Sequence, residues 1–509
     1  MKKHLHFTLL IVLFTGLQLV NAQKRSGGQH ASHGDSALGG KNDSVAPPVI
    51  THHQITIDGK TINYTATAGY MPMKDKNENV LAKIFYIAYT ADAEPANKRP
   101  VTYVFNGGPG SSSIWLHMGA IGPVRVHFGD DKGTSPAPPF TYGDNENSWI
   151  GFTDLVFIDP VSTGFSRPNK GVEPAKFHGY SEDIASVGDF IRMYTTRNGR
   201  WGSPKFLTGE SYGTTRASGL SGYLQDAYGM YLNGITLVSS VLNFQYIDFN
   251  RGNDLPYALF LPTYAATAQY HKKLAPELEA LNVEQLAKKV ETFASGTYTL
   301  FLMQGDKASA DLTNKVIDSL SYFTGLSKNY VKGSNERIRD HRFFKEILRD
   351  ESKTVGRYDS RYTGEDADDA GEGFSYDPSY SAVSGLFNGA LNEYMRKDLN
   401  YKSDMPYEAL TNVWPWSLPE NGYLDVSETL RQAMTQNPSL KVMVCCGYYD
   451  LATPFYNAEY AVDHMGLRAD VRNNIILTYY NAGHMMYVTK EDDAKLKADA
   501  IKFYQGAIK

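Results

Sequence analysis

Gly209-Glu210-Ser211-Tyr212-Gly213 is the stretch that decides the fold, and it lies between a short apolar segment, residues 205–208, and a segment with helical periodicity, residues 214–226. Its two glycines permit a strand to turn sharply into a helix, and such a turn exposes the serine hydroxyl at the end of a sheet. With a strand and a helix on either side, the pattern predicts a reactive serine. A structural serine in an ordinary tight turn is the alternative interpretation.

Strand-like and helical segments alternate along the chain on both sides of this turn. Helical patterns include residues 181–195 and 214–226. The strand-like segments are short and rich in β-branched or aromatic residues, and they occupy residues 84–89, 101–105, 155–158, 205–208, 235–238, 441–446 and 475–480. This alternation predicts a mostly parallel central sheet covered by helices. Together with the serine turn, it predicts an α/β-hydrolase fold.

The stretch from about residue 243 to residue 418 breaks the alternation and predicts an inserted, largely helical cap. Helical periodicity around residues 263–290 gives way to a segment rich in Gly and Asp, residues 356–378. A β-hairpin whose turn is Asp58-Gly59-Lys60 marks the start of the catalytic domain. We therefore expect one α/β-hydrolase domain over residues 51–509, with the cap inserted at about 243–418.

The N-terminus has the pattern of a signal peptide over residues 1–22. Two lysines precede an apolar run, residues 9–13, and Ala22 ends a small-residue pattern suited to cleavage. An uncleaved membrane anchor is the alternative, although the apolar run is short for that role. Residues 23–50 are rich in Gly, Ser, His and Asn, which predicts a flexible leader. We expect an exported protein, periplasmic or secreted, with no membrane association once the signal peptide is removed.

Composition restricts the partners of the chain. A formal net charge of -5 without a clustered basic block argues against nucleic-acid binding. The only cysteines, Cys445 and Cys446, are adjacent, so a disulfide between them would be strained and free thiols in a buried strand are expected. No pattern in the sequence implies a metal ion or an organic cofactor.

Two further residues have the positions of a base and of the carboxylate that orients it. A serine hydroxyl needs an adjacent base to act as a nucleophile, and in this fold an acidic residue and then a histidine follow the serine along the chain. Asp450 comes directly after the strand-like residues 441–446, and His484 follows residues 475–480. Either residue alone would be more typical of a turn or a cap, but their order and positions predict a Ser211, Asp450, His484 triad.

A glycine-rich loop, Asn106-Gly107-Gly108-Pro109-Gly110-Ser111-Ser112, follows the strand-like residues 101–105. Its backbone amides can stabilise the oxyanion of a tetrahedral intermediate, and we choose Gly108 with Tyr212, the residue after the nucleophile. A phosphate-binding loop is the competing interpretation. It is disfavoured because no Gly-Lys-Ser/Thr ending follows and Pro109 lacks an N–H donor.

Four motifs resemble those of the serine carboxypeptidase family, and they occur in the family's order. They are residues 106–112, residues 158–166 (Ile-Asp-Pro-Val-Ser-Thr-Gly-Phe-Ser), residues 209–213 and residues 483–485 (Gly-His-Met). The resemblance covers roughly residues 51–509. It implies that Asn106, Gly107 and Glu210 hold the free C-terminal carboxylate of a peptide substrate, and that Met485 lines the leaving-group pocket.

Glu210 also has a physical argument of its own. Two carboxylates in contact repel each other unless one carries a proton, so binding of a substrate carboxylate would raise the pKa of Glu210 and favour turnover on the acid side of neutrality. A solvated spacer in the turn is the alternative role for this residue.

The sequence departs from the family pattern in two respects, a carboxyl-binding residue and the disulfides. Ala120 stands where the family usually has a second carboxyl-binding Glu, which puts strict C-terminal specificity in doubt. The family's disulfides are absent: Ser111 occupies a position where Cys is common, and Cys446 one where a small residue is usual.

These observations lead us to expect a serine-type carboxypeptidase that removes C-terminal residues from peptides through an acyl-enzyme intermediate. An esterase or acyltransferase with the same three residues is the nearest alternative, because this scaffold leaves the choice of acceptor to the cap. A binding protein with a relict site is a third possibility, although no member of the triad is missing.

Overall fold

The structure is a computed structural model, and it describes residues 45–92, 95, 98–419 and 422–508. The expected signal peptide, residues 1–22, and most of the expected leader lie outside the described residues. The first strand begins at Val49, one residue before the expected end of the leader at residue 50. The division of the chain into signal peptide, leader and catalytic domain stays a prediction.

A ten-stranded sheet forms the centre of the protein, in the order β1-β2-β3-β7-β4-β9-β10-β13-β14, with β8 paired to the edge of β3. The strands from β7 to β14 along this order run parallel, whereas β1, β2 and β3 are antiparallel to their neighbours. The strands of this sheet are β1 (Val49–Ile57), β2 (Lys60–Lys74), β3 (Val80–Ala91), β4 (Val101–Phe105), β7 (Asp154–Ile158), β8 (Arg167–Pro168), β9 (Lys205–Ser211), β10 (Gly234–Ser240), β13 (Lys441–Gly447) and β14 (Ile475–Tyr480). Two small pairs lie apart from it, β5 (Val124–Val126) with β6 (Tyr142–Asp144) and β11 (Thr354–Val355) with β12 (Thr363–Gly364).

Helices cover both faces of this sheet, as the α/β-hydrolase prediction requires. The α-helices of the described residues, including those of the expected cap, are α1 (Ile114–Leu116), α2 (Tyr180–Arg197), α3 (Tyr212–Tyr228), α4 (Leu255–Tyr270), α5 (Pro276–Glu279), α6 (Val283–Phe293), α7 (Thr299–Gln304), α8 (Ala310–Thr324), α9 (Lys328–Gly333), α10 (Asp340–Glu346), α11 (Pro378–Lys397), α12 (Ser427–Gln436), α13 (Phe455–Asp463), α14 (Ala469–Arg472) and α15 (Lys490–Ala507). None of the described helices is long and apolar enough to cross a membrane.

The alternation of side chains along each strand divides the core between the two faces. On β4, Tyr103 packs into a cluster with α2, α3, α12 and α13. Its neighbour Val104 points to the other face and joins a second cluster with α1, α11 and α15. This is the period of two expected for a strand buried on both sides, which explains why these strands read as continuous apolar runs.

The segment expected to be a cap consists of two structurally different parts. Helices α4 to α10 surround a third apolar cluster of their own, with Phe260, Leu286 and Phe343 among its members. Helix α11 instead packs Leu386 and Phe387 into the cluster on the sheet. The end of the expected cap is therefore built into the core, because the apolar face of α11 is buried against the sheet rather than against the other cap helices.

Cys445 and Cys446 are both free and buried in β13, as expected. Because successive side chains of a strand point to opposite faces, the two thiols lie in different clusters, Cys446 with α2 and α3 and Cys445 with α15. The stability of the domain thus rests on burial and hydrogen bonding.

Asp154, the first residue of β7, ties three parts of the sheet together. Its Oδ1 accepts hydrogen bonds from the Arg99 Nε at 2.8 Å and from the Ala91 amide at 3.1 Å, and its Oδ2 accepts one from the Arg200 Nη1 at 2.7 Å. Its side chain is only 2% exposed, and that of Arg200 is 3% exposed. Two cations thus share one buried carboxylate.

We predict that Asp154→Ala lowers the free energy of unfolding by about 3–5 kcal/mol, because it leaves the buried guanidinium of Arg200 and the half-buried one of Arg99 without a counter-charge. Urea unfolding measures the difference. The exposed pair of Arg468 and Asp470 provides the control, since Asp470→Ala should leave the unfolding midpoint unchanged. Equal midpoints for Asp154→Ala and the unmodified chain would contradict the prediction.

Candidate active site

The predicted turn at Ser211 lies between β9, which ends at Ser211, and α3, which begins at Tyr212. Ser211 has a φ of 60°, a left-handed conformation that non-glycine residues rarely adopt. Gly209 and Gly213 make this turn possible, since a Cβ on Gly209 would overlap the Gly213 carbonyl and one on Gly213 would lie 2.8 Å from the Phe105 carbonyl oxygen. The two glycines are therefore required by close packing of backbone against backbone.

Asp450 and His484 meet beyond the ends of β13 and β14. The His484 Nδ1 and the Asp450 Oδ2 are 2.8 Å apart, and both side chains are buried. The Ala452 and Thr453 amides donate to the Asp450 Oδ1 at 2.8 and 2.9 Å, and the Thr453 hydroxyl donates to its Oδ2 at 2.8 Å. These bonds fix the carboxylate, which in turn fixes the orientation of the imidazole.

The electrostatic surroundings of His484 favour the protonated form of its ring. Burial alone would lower the pKa of His484, but the charge of Asp450 and the hydrogen bond to it outweigh burial, so the pKa is raised. Ser211 and His484 line the same pocket. The structure thus brings together the three residues that the sequence predicted as a triad.

The backbone around His484 is held by a segment that the sequence analysis had treated only as part of a loop in the cap. The His484 amide donates to the Tyr358 carbonyl at 2.6 Å, and the Ser239 hydroxyl donates to the His484 carbonyl at 2.7 Å. The Leu451 amide donates to the Arg357 carbonyl at 3.1 Å. Residues 357–358 therefore join the loop of Asp450 to that of His484.

The glycine-rich loop lies directly against the serine turn. A Cβ on Gly107 would overlap the Tyr212 amide nitrogen and would lie 2.8 Å from the Glu210 carbonyl oxygen. Gly108, with a φ of 103°, lines the pocket beside Ser211. The predicted oxyanion donors, the Gly108 and Tyr212 amides, thus belong to two backbone segments in contact.

Arg216 holds the loop and the turn together, and the sequence analysis did not find it. It lies on the buried face of α3, where its Nε donates to the Asp183 Oδ2 at 2.8 Å and its Nη1 donates to the Asn106 carbonyl at 2.6 Å. Its guanidinium lies 5.3 Å from the ring centroids of both Phe105 and Tyr212. An arginine on the apolar face of a helix is the only sequence signal that could have indicated this role.

Glu210 is buried rather than solvated, with 3% of its surface exposed, so its role as a solvated spacer is excluded. Burial raises the pKa of Glu210 to about 7, against the lowering effects of His484 and of a hydrogen bond from Tyr487. The Tyr487 hydroxyl donates to the Glu210 Oε2 at 2.7 Å. The carboxyl group is therefore poised between its neutral and charged forms near neutral pH.

Tyr487 was also missed by the sequence analysis, and it lies near the site of the family departure at Ala120. Ala120 is buried and does not line the pocket. Its neighbour Gly119 packs on the Tyr487 ring, where a Cβ would come within 2.5 Å of Cε2. The hydroxyl of Tyr487, which follows His484 in the chain, is thus a hydrogen-bonding partner of Glu210.

The remaining predicted residues also line the pocket. Asn106 has its Oδ1 engaged by the Leu116 amide at 3.1 Å, and a side-chain hydrogen bond from Asn106 also lowers the pKa of Glu210. Met485 lines the pocket next to His484. Ser111, where the family often has Cys, accepts a hydrogen bond from the Trp115 Nε1 at 2.9 Å. Aromatic and apolar side chains complete the wall, namely Trp115, Tyr358, Tyr380 and Leu410.

A mostly parallel sheet between helices, with a serine turn after β9 and a histidine loop after β14, defines an α/β-hydrolase fold. The family profile of the serine carboxypeptidases matches residues 57–498. The chain therefore belongs to the serine carboxypeptidase family.

Individual relatives match shorter stretches. Serine carboxypeptidase ctsa-3.2 of Caenorhabditis elegans is 27% identical over 165 residues, which is 31% of this chain and 29% of the relative. Pheromone-processing carboxypeptidase KEX1 of Saccharomyces cerevisiae (strain JAY291) is 33% identical over 138 residues, 25% of this chain and 17% of the relative. The chain thus matches less than a third of the length of either relative.

Among solved structures, KEX1(delta)p, a prohormone-processing carboxypeptidase from Saccharomyces cerevisiae, superimposes with a TM-score of 0.53. The two chains are 17% identical, and the match covers 87% of this chain and 91% of the other. At this identity, the likeness concerns the fold.

We predict that Gly107→Ala lowers the free energy of unfolding by about 1–3 kcal/mol, because the new methyl group meets only backbone atoms of the serine turn. Thermal denaturation measures the loss. Gly506→Ala in α15 is the matched control: a Cβ there meets no atom within 4 Å, so the stability should stay the same or rise. A Gly107→Ala protein as stable as the control would show that the turn and the loop are less tightly packed.

Proposed function

We propose that this protein is an exported serine-type carboxypeptidase, with Ser211 as nucleophile, His484 as general base and Asp450 as the residue that orients the base. The observation that carries the proposal is the position of His484. One of its ring nitrogens is bound to Asp450 at 2.8 Å, and its side chain lines the same pocket as Ser211. Export to the periplasm or beyond the cell rests on the N-terminal sequence pattern alone.

The reaction begins when the Ser211 hydroxyl attacks the carbonyl carbon of the last peptide bond and passes its proton to His484. The Gly108 and Tyr212 amides stabilise the oxyanion. His484 then donates the proton to the departing amine, which leaves as the C-terminal amino acid and leaves an acyl-enzyme on Ser211. Water, deprotonated by His484, attacks the acyl-enzyme and releases the shortened peptide and the free serine.

Selectivity for a C-terminal residue is assigned to the end of the pocket that holds Glu210. A protonated Glu210 can donate a hydrogen bond to the substrate carboxylate, and the Asn106 side-chain amide and the Gly107 backbone, which line the same pocket, are further donors. Met485 contacts the side chain of the departing residue. An esterase or acyltransferase using the same triad is the second candidate, because Ala120 contributes no carboxyl group to this end.

We predict that Ser211→Ala reduces hydrolysis of an N-blocked dipeptide by at least about 10⁴-fold, because the nucleophile is lost. Release of the C-terminal amino acid, read by mass spectrometry, measures the rate. A fluorophosphonate probe should label the unmodified chain and Ser181→Ala, which changes an exposed serine, but not Ser211→Ala. Hydrolysis of the corresponding ester without any hydrolysis of the peptide would favour the esterase alternative.

We predict that kcat/KM for a free-acid dipeptide falls as pH rises through about 7, where Glu210 ionises and repels the substrate carboxylate. On the acid side, kcat/KM falls as His484 becomes protonated. Glu210→Gln should remove the alkaline fall and keep the acid limb, with that limb moved to lower pH because Glu210 no longer raises the pKa of His484.

A second, half-buried Glu–Tyr pair provides the control for this pH profile. Glu459 accepts a hydrogen bond from the Tyr479 hydroxyl at 2.5 Å, and burial raises its pKa as well, but it does not line the pocket. Glu459→Gln should leave the profile unchanged. An alkaline fall that persists in Glu210→Gln would remove Glu210 from carboxylate binding.

A further inference from the structure

Arg357 is a cation in the wall of the pocket for which the proposed mechanism has no use. It lines the pocket together with Ser211, Glu210 and His484, and it is half-buried. Arg357 comes from the loop that follows β11, far along the chain from the serine turn. Its charge is close enough to His484 to oppose the raising of that residue's pKa.

The backbone of Arg357 is fixed on both sides. Its amide donates to the Asp377 Oδ1 at 3.1 Å, and its carbonyl accepts from the Leu451 amide at 3.1 Å. The guanidinium lies over the Tyr358 ring, 5.4 Å from the ring centroid. The Arg357 side chain therefore extends into the pocket from a backbone segment that is hydrogen-bonded to the loop of Asp450.

No carboxylate in the described part of the chain forms an ion pair with Arg357 within 4.0 Å. The neighbouring Arg361, in contrast, binds the Asp359 Oδ2 at 2.6 Å. Asp340, Asp377 and Asp450 act on Arg357 only through space, and Asp377 and Asp450 are already engaged by backbone amides. A partly buried guanidinium without a bound anion is costly, and its planar donors match a carboxylate.

We propose that Arg357 binds a carboxylate of the substrate, and so supplies by charge the carboxylate recognition that Ala120 cannot supply. This inference rests on the proposed function. The carboxylate can be the C-terminal α-carboxylate or an acidic side chain beside the scissile bond. Because a guanidinium stays charged at every relevant pH, this contact persists where Glu210 ionises.

The experiment measures binding to the Ser211→Ala protein, so that no turnover is needed. Three N-blocked dipeptides serve as probes in titration calorimetry: Phe-Leu as the free acid, Phe-Leu as the amide, and Phe-Glu as the amide. They present an α-carboxylate, no carboxylate and a side-chain carboxylate, respectively. Each is compared between Ser211→Ala and the double variants that add Arg357→Gln or Arg357→Lys.

We expect Arg357→Gln to weaken binding of at least one carboxylate-bearing probe by about tenfold and to leave the neutral amide within about twofold. The affected probe identifies which carboxylate is bound. Arg357→Lys keeps the charge but loses the paired donors, so its affinity should be intermediate. The control is Arg468→Gln added to Ser211→Ala, which changes an exposed arginine. This double variant should bind all three probes as tightly as Ser211→Ala alone.

The inference is overturned if Arg357→Gln and Arg357→Lys change the affinities of all three probes equally, or change none of them. If Arg357→Gln fails to fold, as judged by its thermal unfolding, the Arg357→Lys comparison alone decides. Failure of the proposed function is a separate result: the unmodified chain would not hydrolyse the free-acid dipeptide, whatever the three affinities are.

Discussion

The active site depends on one constraint, the contact of two backbone segments without side chains between them. Gly107 lies against the Tyr212 amide, and Gly209 lies against Gly213, so the glycine-rich loop and the serine turn approach as closely as two main chains can. Arg216 reinforces this contact from within α3 by donating to the Asn106 carbonyl. In the proposed mechanism, amides fixed in this way need little reorganisation as negative charge develops on the substrate.

A second theme is the sharing of charge among buried groups. Glu210 and His484 each influence the pKa of the other, and a single proton can lie on either without a large change in net charge. The Tyr487 hydroxyl donates a hydrogen bond to Glu210. The charge of Arg357 opposes that of Asp450 and Glu210 in its effect on the pKa of His484. The hydrogen bond from Tyr487 thus lowers the pKa of Glu210, and the charge of Arg357 lowers that of His484.

The sequence predicted those parts of the site that are encoded locally. Ser211, Asp450 and His484 follow strands, and glycines mark the sharp turns, so order along the chain and local pattern were sufficient to bring them to one edge of the sheet. Arg216, Arg357 and Tyr487 could not be predicted in this way. Their roles arise from tertiary packing, and an isolated Arg or Tyr has no spacing that distinguishes it from a surface residue.

The cap shows the same limit on a larger scale. Helical periodicity identified helices between β10 and β13, but not which of them would pack on one another and which on the sheet. A hydrophobic stripe indicates that a helix has a buried face, and many apolar surfaces can satisfy it equally well. Helix α11 lies within the predicted insertion and packs on the sheet, and the bounds of the insertion stay a prediction.

The two unpaired thiols of β13 have a consequence for how the protein reaches its native state. Each is enclosed on its own face of the sheet, and the chain has no other cysteine, so no oxidative step or disulfide isomerase is required to reach the native state. Folding of the described domain therefore does not depend on forming a disulfide.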